Sequence, residues 1–506
     1  MSLLLPALLF RLGDHPVSKI QEVRIAETAR EMLVSGDLLV PHYNGELRLQ
    51  KPPLPYWATL ASYKIAGFNA TAVRLPGVLF GLLTALLLFG WSRRELSLQV
   101  AANTALVLTV SFIGIRYFRS GEADAMLLFF VSAACMLGYG LFYHPADSIR
   151  RLLFGLVLGL GFLTKGPAAL AIPILTLLLL ATLEKQPARF KACFSLPGLA
   201  LLILVGFSWY AWMFWQLPDA AQQFFGHQLD ETFVSGTHAK PLWWYLAHLF
   251  EFFAPWGILL IPALWWSYRQ YKLSGSLPVS LRFAWSWLFV VFVLLTITIN
   301  KQTQYALLLA PPVAMIAGHY LAMAEGGFAK LNKVLFGILC LVALAGAGYA
   351  IMHVAPAVLK SFAWLGLLLL PLALKHFLRI QTPSWAVLLV AIVTCMTYLY
   401  SEFIPDESGG NPVQILMSKT VAHAPLYQSR PGDGAISFYA GRVVPPISDQ
   451  DIAALLQTNR EIWFVSQQQP MAKDIKVELV AESGELKLFK LKRPASCGAQ
   501  KFLNNI

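Results

Sequence analysis

Apolar runs of roughly 17 to 25 residues recur along nearly the whole chain, the length a helix needs to cross a hydrocarbon core about 30 Å thick. Lipid offers backbone N–H and C=O groups no partners, so each run must satisfy its own hydrogen bonds as a helix. Spans read at 75–91, 100–118, 125–142, 152–163, 168–183 and 196–215, and again at 244–266, 283–299, 305–323, 334–354, 362–378 and 385–400. A further apolar stub at 1–10 measures only about 15 Å as a helix, and with it the chain carries about thirteen membrane helices. The stub is either a partial helix or the remnant of a start lying upstream. It does not read as a signal peptide, because no basic residue precedes it and no small-residue cleavage site follows. Composition agrees: 57% of the 506 residues are hydrophobic and 13% charged, which excludes an ordinary soluble domain. The span 152–163 is short and the next begins directly after Gly166-Pro167, so the two form a tight hairpin turning at Lys165.

The formal charge of +12 is spread between the apolar runs rather than gathered in one patch. Anionic membrane lipid is therefore the expected partner, and nucleic acid is not. One set of alternate loops holds most of the basic residues, among them Arg93, Arg94, Arg150, Arg151, Lys185, Arg189, Lys191, Arg269 and Lys272. The positive-inside bias places that set in the cytoplasm, and so places the first loop, 11–74, and the tail in the periplasm. The first loop is itself rich in Lys and Arg, an excess that calls for a separate explanation. It holds an amphipathic helix over 19–34, with Ile20, Val23, Ala26, Ala29 and Leu33 toward one face, a turn at Asn44-Gly45, and a second helix over 56–67. The plain reading is a pair of helices resting on the membrane surface.

Composition changes after Tyr400, and residues 404–506 read as a small soluble α/β domain following a membrane domain over 1–403. Helices are expected over 412–424 and, capped by Ser448 with Asp451, through Asn459; strands are expected over 435–439, 461–466, 475–480 and 485–492. Of the five cysteines only Cys497 lies in this tail, so neither a disulfide framework nor a cysteine zinc site can form there. With no glycine-rich phosphate loop, the tail reads as an accessory lid or docking module.

Ionisable residues at span ends are costly and mark candidate sites. Four groups stand out, all on the periplasmic side of the expected topology: Glu22, Arg24 and Lys51 in the first loop; Arg119, Glu122 and Asp124 before the span at 125; Lys165 in the hairpin; and Lys301 with Tyr305. Cations around a cleft neutralise a phosphate leaving group, and a nearby carboxylate takes a proton from a hydroxyl. The competing reading of each lysine is a side chain snorkelling to the interface.

The stretch Glu22-Val23-Arg24-Ile25-Ala26-Glu27-Thr28-Ala29-Arg30-Glu31-Met32-Leu33, followed by Ser35-Gly36-Asp37, Asn44-Gly45 and Lys51-Pro52-Pro53-Leu54, resembles the first loop of bacterial family-39 and family-83 glycosyltransferases. These include the lipid A aminoarabinose transferases and are related to the protein O-mannosyltransferases. Arg74-Leu75-Pro76, Asp124, Leu163-Thr164-Lys165-Gly166-Pro167, and Lys301 with Tyr305 extend the similarity along the chain.

The resemblance implies a polytopic α-helical membrane protein of GT-C type with a small C-terminal α/β periplasmic domain. It implies inverting transfer of a sugar from a polyprenyl-phosphate donor to a lipid or glycan acceptor, in the inner membrane. Glu22 and Asp124 are then the catalytic candidates, and Arg24, Lys51, Arg119, Lys165, Lys301 and Tyr305 the donor-phosphate candidates. Gln21 stands where the family has the Asp of an Asp-Glu pair, and Gln50 where an acidic residue often precedes Lys-Pro-Pro. Glutamine supplies neither a base nor a charge. An acceptor that is already anionic, such as a phosphate, needs little base assistance. Some relatives bind a metal in the region of His227, Asp230 and His238, which leaves a divalent metal open as cofactor and the two histidines as its candidate ligands. The alternatives are a flippase for a lipid-linked intermediate, which would be expected to show internal repeats that this sequence lacks, and a catalytically inactive relative.

Overall fold

The computed structural model describes residues 8–10, 12–14, 16–217, 219–229, 239–332, 334–335, 338, 412–421, 424–429, 434–471 and 475–493. The expected spans at 362–378 and 385–400, and nearly all of 334–354, lie outside these residues. The chain divides into two compact units: Met1–Leu12, Leu49–Pro55 and Arg74–Ile404 in the first, and Gly13–Arg48, Tyr56–Val73 and Pro405–Ile506 in the second. In this division most of the first loop groups with the tail rather than with the membrane helices.

In chain order the helices used below are α1 (Ile20–Ser35), α2 (Leu54–Ala66), α3 (Ala70–Glu95), α4 (Leu98–Val110), α5 (Phe112–Phe118), α6 (Asp124–Tyr143), α7 (Ser148–Lys165) and α8 (Ala168–Leu183). They continue with α9 (Leu196–Gly206), α10 (Val279–Ile297), α11 (Ala310–Met323), α12 (Gly434–Ala440) and α13 (Asp449–Thr458).

The first unit is an apolar helical bundle. Among the described residues, four helices are long and apolar enough to cross a membrane, or six spans if each of two bent pairs counts as one. The expected span 100–118 is one of those pairs, α4 and α5, which meet at 66°. Ser111 causes the break: its backbone is extended, and its hydroxyl accepts from Gly114 N at 3.1 Å, capping α5 instead of continuing α4. The expected span 244–266 is also interrupted. It resolves into short helical pieces and a separate helix Leu260–Ser274, because Pro255 has no N–H to offer the helical ladder. The helix α7 runs six residues longer than the short span read at 152–163, and Gly166, at φ 79°, turns the chain into α8. Glycines let α7 and α9 approach to backbone contact: a Cβ at Gly155 would overlap the Gly198 carbonyl, and one at Gly206 would lie 3.2 Å from the Gly159 Cα. Small residues serve membrane helices this way because van der Waals contact, not burial from water, holds them together.

In the second unit α1 is not the surface-resting helix expected from its apolar stripe. Glu22, Glu27, Arg30 and Glu31 are buried, whereas Ile20 is 67% exposed and Leu33 sits at the surface. The helix is enclosed on several sides, so its polar residues find protein partners. It ends at Gly36, whose left-handed φ of 76° lets its N–H cap the Met32 carbonyl. The hairpin β1 (His42–Tyr43) and β2 (Glu46–Leu47) turns at Asn44 and Gly45, both with positive φ, as a two-residue turn requires. The Glu31 carboxylate fixes that turn by accepting from Asn44 N at 2.6 Å and Gly45 N at 3.1 Å.

The tail contributes a four-stranded sheet in the order β3 (Leu426–Gln428), β4 (Glu461–Ser466), β6 (Leu486–Lys492), β5 (Lys476–Ser483). The strand β3 runs parallel to β4, and the other pairs are antiparallel. Ile452 and Leu456 of α13 pack on Ile462, Phe464, Phe489 and Leu491 to make its core. Ser448 and Asp451 form the expected capping box on α13. The helix expected over 412–424 covers Pro412–Ser418. The strand expected over 435–439 is instead α12: its residues Gly434 to Phe438 are all buried, and a short apolar run does not distinguish the two periods.

Candidate active site

Three of the candidate residues meet in the first unit. Asp124 opens α6, where the positive end of the helix dipole favours a carboxylate, and Lys165 closes α7, where the negative end favours an ammonium. The α7–α8 turn brings them together: Lys165 Nζ donates to Asp124 Oδ1 at 2.6 Å, with side chains only 14% and 6% exposed. The ammonium also stands over the Tyr305 ring, 5.0 Å from its centroid. Tyr305 belongs to the 3-10 turn Thr303–Leu309 that leads into α11. Three elements thus supply one charge pair and one aromatic face.

Two further candidate cations of this unit donate to backbone carbonyls. Arg119 follows α5 and is buried; one guanidinium nitrogen donates to the carbonyls of Leu8, at 2.9 Å, and Phe10, at 3.0 Å. Lys301, 3% exposed, donates to the carbonyls of Thr296, at 3.0 Å, and Thr298, capping the end of α10. Desolvation lowers its pKa from the usual lysine value. Two of its three protons are engaged by backbone carbonyls. Lys51 is half-buried ahead of α2. Glu122 accepts from the Ser120 hydroxyl at 3.2 Å.

In the second unit Glu22 lies in the first turn of α1, 1% exposed, and Arg24 is half-buried. The sequence reading missed Glu27, Arg30 and Glu31 on the same helix. Arg30 grips Glu27 through two bonds, Nη2 to Oε1 at 2.6 Å and Nε to Oε2 at 2.8 Å, and reaches the tail through Nη1 to the Gly441 carbonyl at 3.0 Å. The available signal was the Glu27-x-x-Arg30 spacing, which puts opposite charges side by side on a helix. Asp230, His238 and the side chain of His227 lie outside the described residues. Among the described residues no three His, Cys, Asp or Glu side chains gather as a metal site requires.

Residues 50–212 match the family model described as dolichyl-phosphate-mannose-protein mannosyltransferase, a stretch that includes Lys51, Arg119, Asp124 and Lys165. The structure superimposes on the crystal structure of ArnT from Cupriavidus metallidurans bound to undecaprenyl phosphate with a TM-score of 0.80 at 20% identity, covering 98% of this chain and 97% of that one. The chain has a GT-C fold. Its similarity to the undecaprenyl phosphate-alpha-4-amino-4-deoxy-L-arabinose arabinosyl transferase of Edwardsiella ictaluri is 32% over 346 residues, 66% of this chain and 61% of that protein. An uncharacterized protein of Aquifex aeolicus is 26% identical over 87% of this chain and 86% of its own length. The chain spans about three fifths of the aminoarabinose transferases it matches in Edwardsiella ictaluri and Sodalis glossinidius, 61% and 60%.

Proposed function

We propose that this protein transfers a sugar from a polyprenyl-phosphate donor to an envelope acceptor, lipid A or another glycoconjugate, on the periplasmic side of the inner membrane. The observation that carries the reading is the buried Lys165–Asp124 pair under Tyr305 in a GT-C fold whose solved counterpart holds undecaprenyl phosphate. In the reaction the acceptor oxygen forms a bond to the sugar's anomeric carbon with inversion. The bond from that carbon to the phosphate oxygen breaks, and polyprenyl phosphate leaves with the electron pair. Lys165 is the leading ligand for that phosphate, and Asp124 holds its side chain in place until an anion competes for it. Arg24 and Lys51 are further phosphate ligands in this reading. Glu22 takes the acceptor proton, and Asp124, engaged with Lys165, acts as a counter-ion rather than as the base assigned to it from sequence. Arg119 and Lys301 serve as braces.

The first loop and the residues from 404 onward face the periplasm in this reading, following the loop charge bias. A phosphatase fused after Lys492 is expected to be active and one fused after Arg94 inactive; the reverse pair of results would refute the orientation. The activity itself is tested with purified protein in nanodiscs given undecaprenyl-phosphate aminoarabinose and lipid A, reading both sugar-modified lipid A and freed undecaprenyl phosphate. A flippase would move the donor and leave its phosphate ester intact. Neither product appearing with any sugar donor, in protein shown to be folded, would make the chain an inactive relative.

A further inference from the structure

Glu27 and Arg30 of α1 have no part in the reaction just described, yet they are costly to bury, and Arg30 is joined to the tail. We propose that Glu27 and Arg30 form a positioning strut that ties α1 to the tail module, and so holds Glu22 and Arg24, earlier on the same helix, in their working orientation. The role assigned to Glu22 and Arg24 rests on the proposed function; the strut itself rests on geometry. Glu27 is 0% exposed and accepts both prongs of the Arg30 guanidinium. The remaining nitrogen donates to the carbonyl of Gly441, which directly follows α12 and has the left-handed φ of 67° that glycine accommodates. Further contacts between loop and tail frame the strut. Tyr439 Oη accepts from Val17 N at 2.6 Å, Tyr43 Oη accepts from Gly434 N at 3.0 Å, and the Phe68 and Phe438 rings pack at 4.7 Å. The Glu27–Arg30 contact places full charges at this junction, and buried bidentate pairs are directional.

The charged groups acting on Glu27 are Arg30 and Glu31, both from its own helix. From α2 it is faced by Tyr63, whose hydroxyl donates to the Ala26 carbonyl at 3.0 Å and which also senses Glu22. From the hairpin come the backbone amides that hold Glu31, and from the tail the Gly441 carbonyl on Arg30. Burial pushes the Glu27 carboxyl up to about 7, against the opposing pull of Arg30. Its folded value therefore stands above the ordinary 4.5. The sign follows: protonation stabilises the fold with respect to this group, and that contribution is lost as pH rises through about 7. Acidification breaks the bidentate grip without unfolding the unit through Glu27. Activity falling while stability holds is the signature of a positioning role.

The test compares wild type with Glu27→Gln and Arg30→Lys in nanodiscs between pH 6 and 8. Wild-type kcat is expected to rise about tenfold across that range as Glu27 ionises, with little change in donor KM. Glu27→Gln should lose the transition near pH 7 and stay at the low level, roughly tenfold below wild type at pH 8. Arg30→Lys keeps the ion pair but cannot grip Glu27 and Gly441 together, so it should keep the pH dependence at a lower plateau. A Glu27→Gln protein with the wild-type kcat and pH profile would overturn the strut. Amide hydrogen exchange over residues 20–35 provides a readout independent of turnover. At pH 8 Arg30→Lys, which loses the bond to the Gly441 carbonyl, should exchange faster there than wild type, and equal protection would overturn the strut even if no donor is turned over. Absence of turnover in wild type with every donor counts against the functional reading alone.

Discussion

Replacing Lys165 by methionine keeps most of the unbranched side chain and removes the ammonium, leaving the Asp124 carboxylate, 6% exposed, without its partner at 2.6 Å. A fully buried pair broken on one side costs about 3–5 kcal/mol, whereas an exposed pair contributes about 0–1 kcal/mol. With 14% of the Lys165 side chain in contact with solvent, the expected loss of stability is about 1–3 kcal/mol, between those limits. Asp124→Asn added to Lys165→Met removes the stranded charge and should restore most of that loss. Binding separates the roles further. A charge-assisted bond to phosphate contributes about 1.5–3 kcal/mol, so Lys165→Met should weaken undecaprenyl phosphate binding roughly 10- to 100-fold. Asp124→Asn leaves Lys165 charged and should hold donor affinity near the wild-type value or above it. Thermal unfolding in detergent and titration with undecaprenyl phosphate measure both effects on the four proteins of the cycle. If Asp124→Asn instead keeps stability and donor affinity but loses turnover by roughly 10²-fold or more, Asp124 is the general base and the counter-ion argument is wrong.

Glu22→Gln should lower turnover roughly 10² to 10⁴-fold with donor affinity little changed, and wild-type turnover with a lipid A acceptor would remove Glu22 from the mechanism. Gly155→Val forces α7 away from the Gly198 carbonyl of α9 and should destabilise the bundle by about 1–3 kcal/mol, read as a lower thermal midpoint; an unchanged midpoint would show that these helices do not need backbone contact. A Cβ at Gly434 would overlap the Tyr43 ring, so Gly434→Ala should loosen the hairpin from α12, and Tyr43→Ala added to it should recover protease resistance. Failure of that rescue would place the cost elsewhere in the tail.

The membrane character of the chain was legible because it depends on composition over long windows, and each apolar run must form helix wherever its neighbours lie. The turn at Asn44-Gly45, the cap at Ser448 and the α7–α8 turn at Gly166 were legible for a related reason: each answers to the φ or hydrogen-bonding capacity of one or two residues. The break at Ser111 and the helix at 434–440 were not, since the local pattern admits either outcome and packing decides.

For the candidate site, residue types at span ends pointed to Asp124, Lys165 and Tyr305, which the first unit does gather. Arg119 and Lys301 carry the same signal in sequence, yet their protons go to backbone carbonyls, an arrangement that exists only once the chain has folded. The largest difference concerns α1. Its sequence carries an apolar stripe and a charged face, and by itself determines a helix with two unlike sides. Which side is buried depended on what surrounds it, and the tail supplies, 411 residues after Arg30, the Gly441 carbonyl that makes that buried guanidinium tolerable. Local sequence sets what a segment can form and which groups need partners; only the tertiary structure decides where those partners come from, because a buried charge is stable only beside groups that distant chain brings to it.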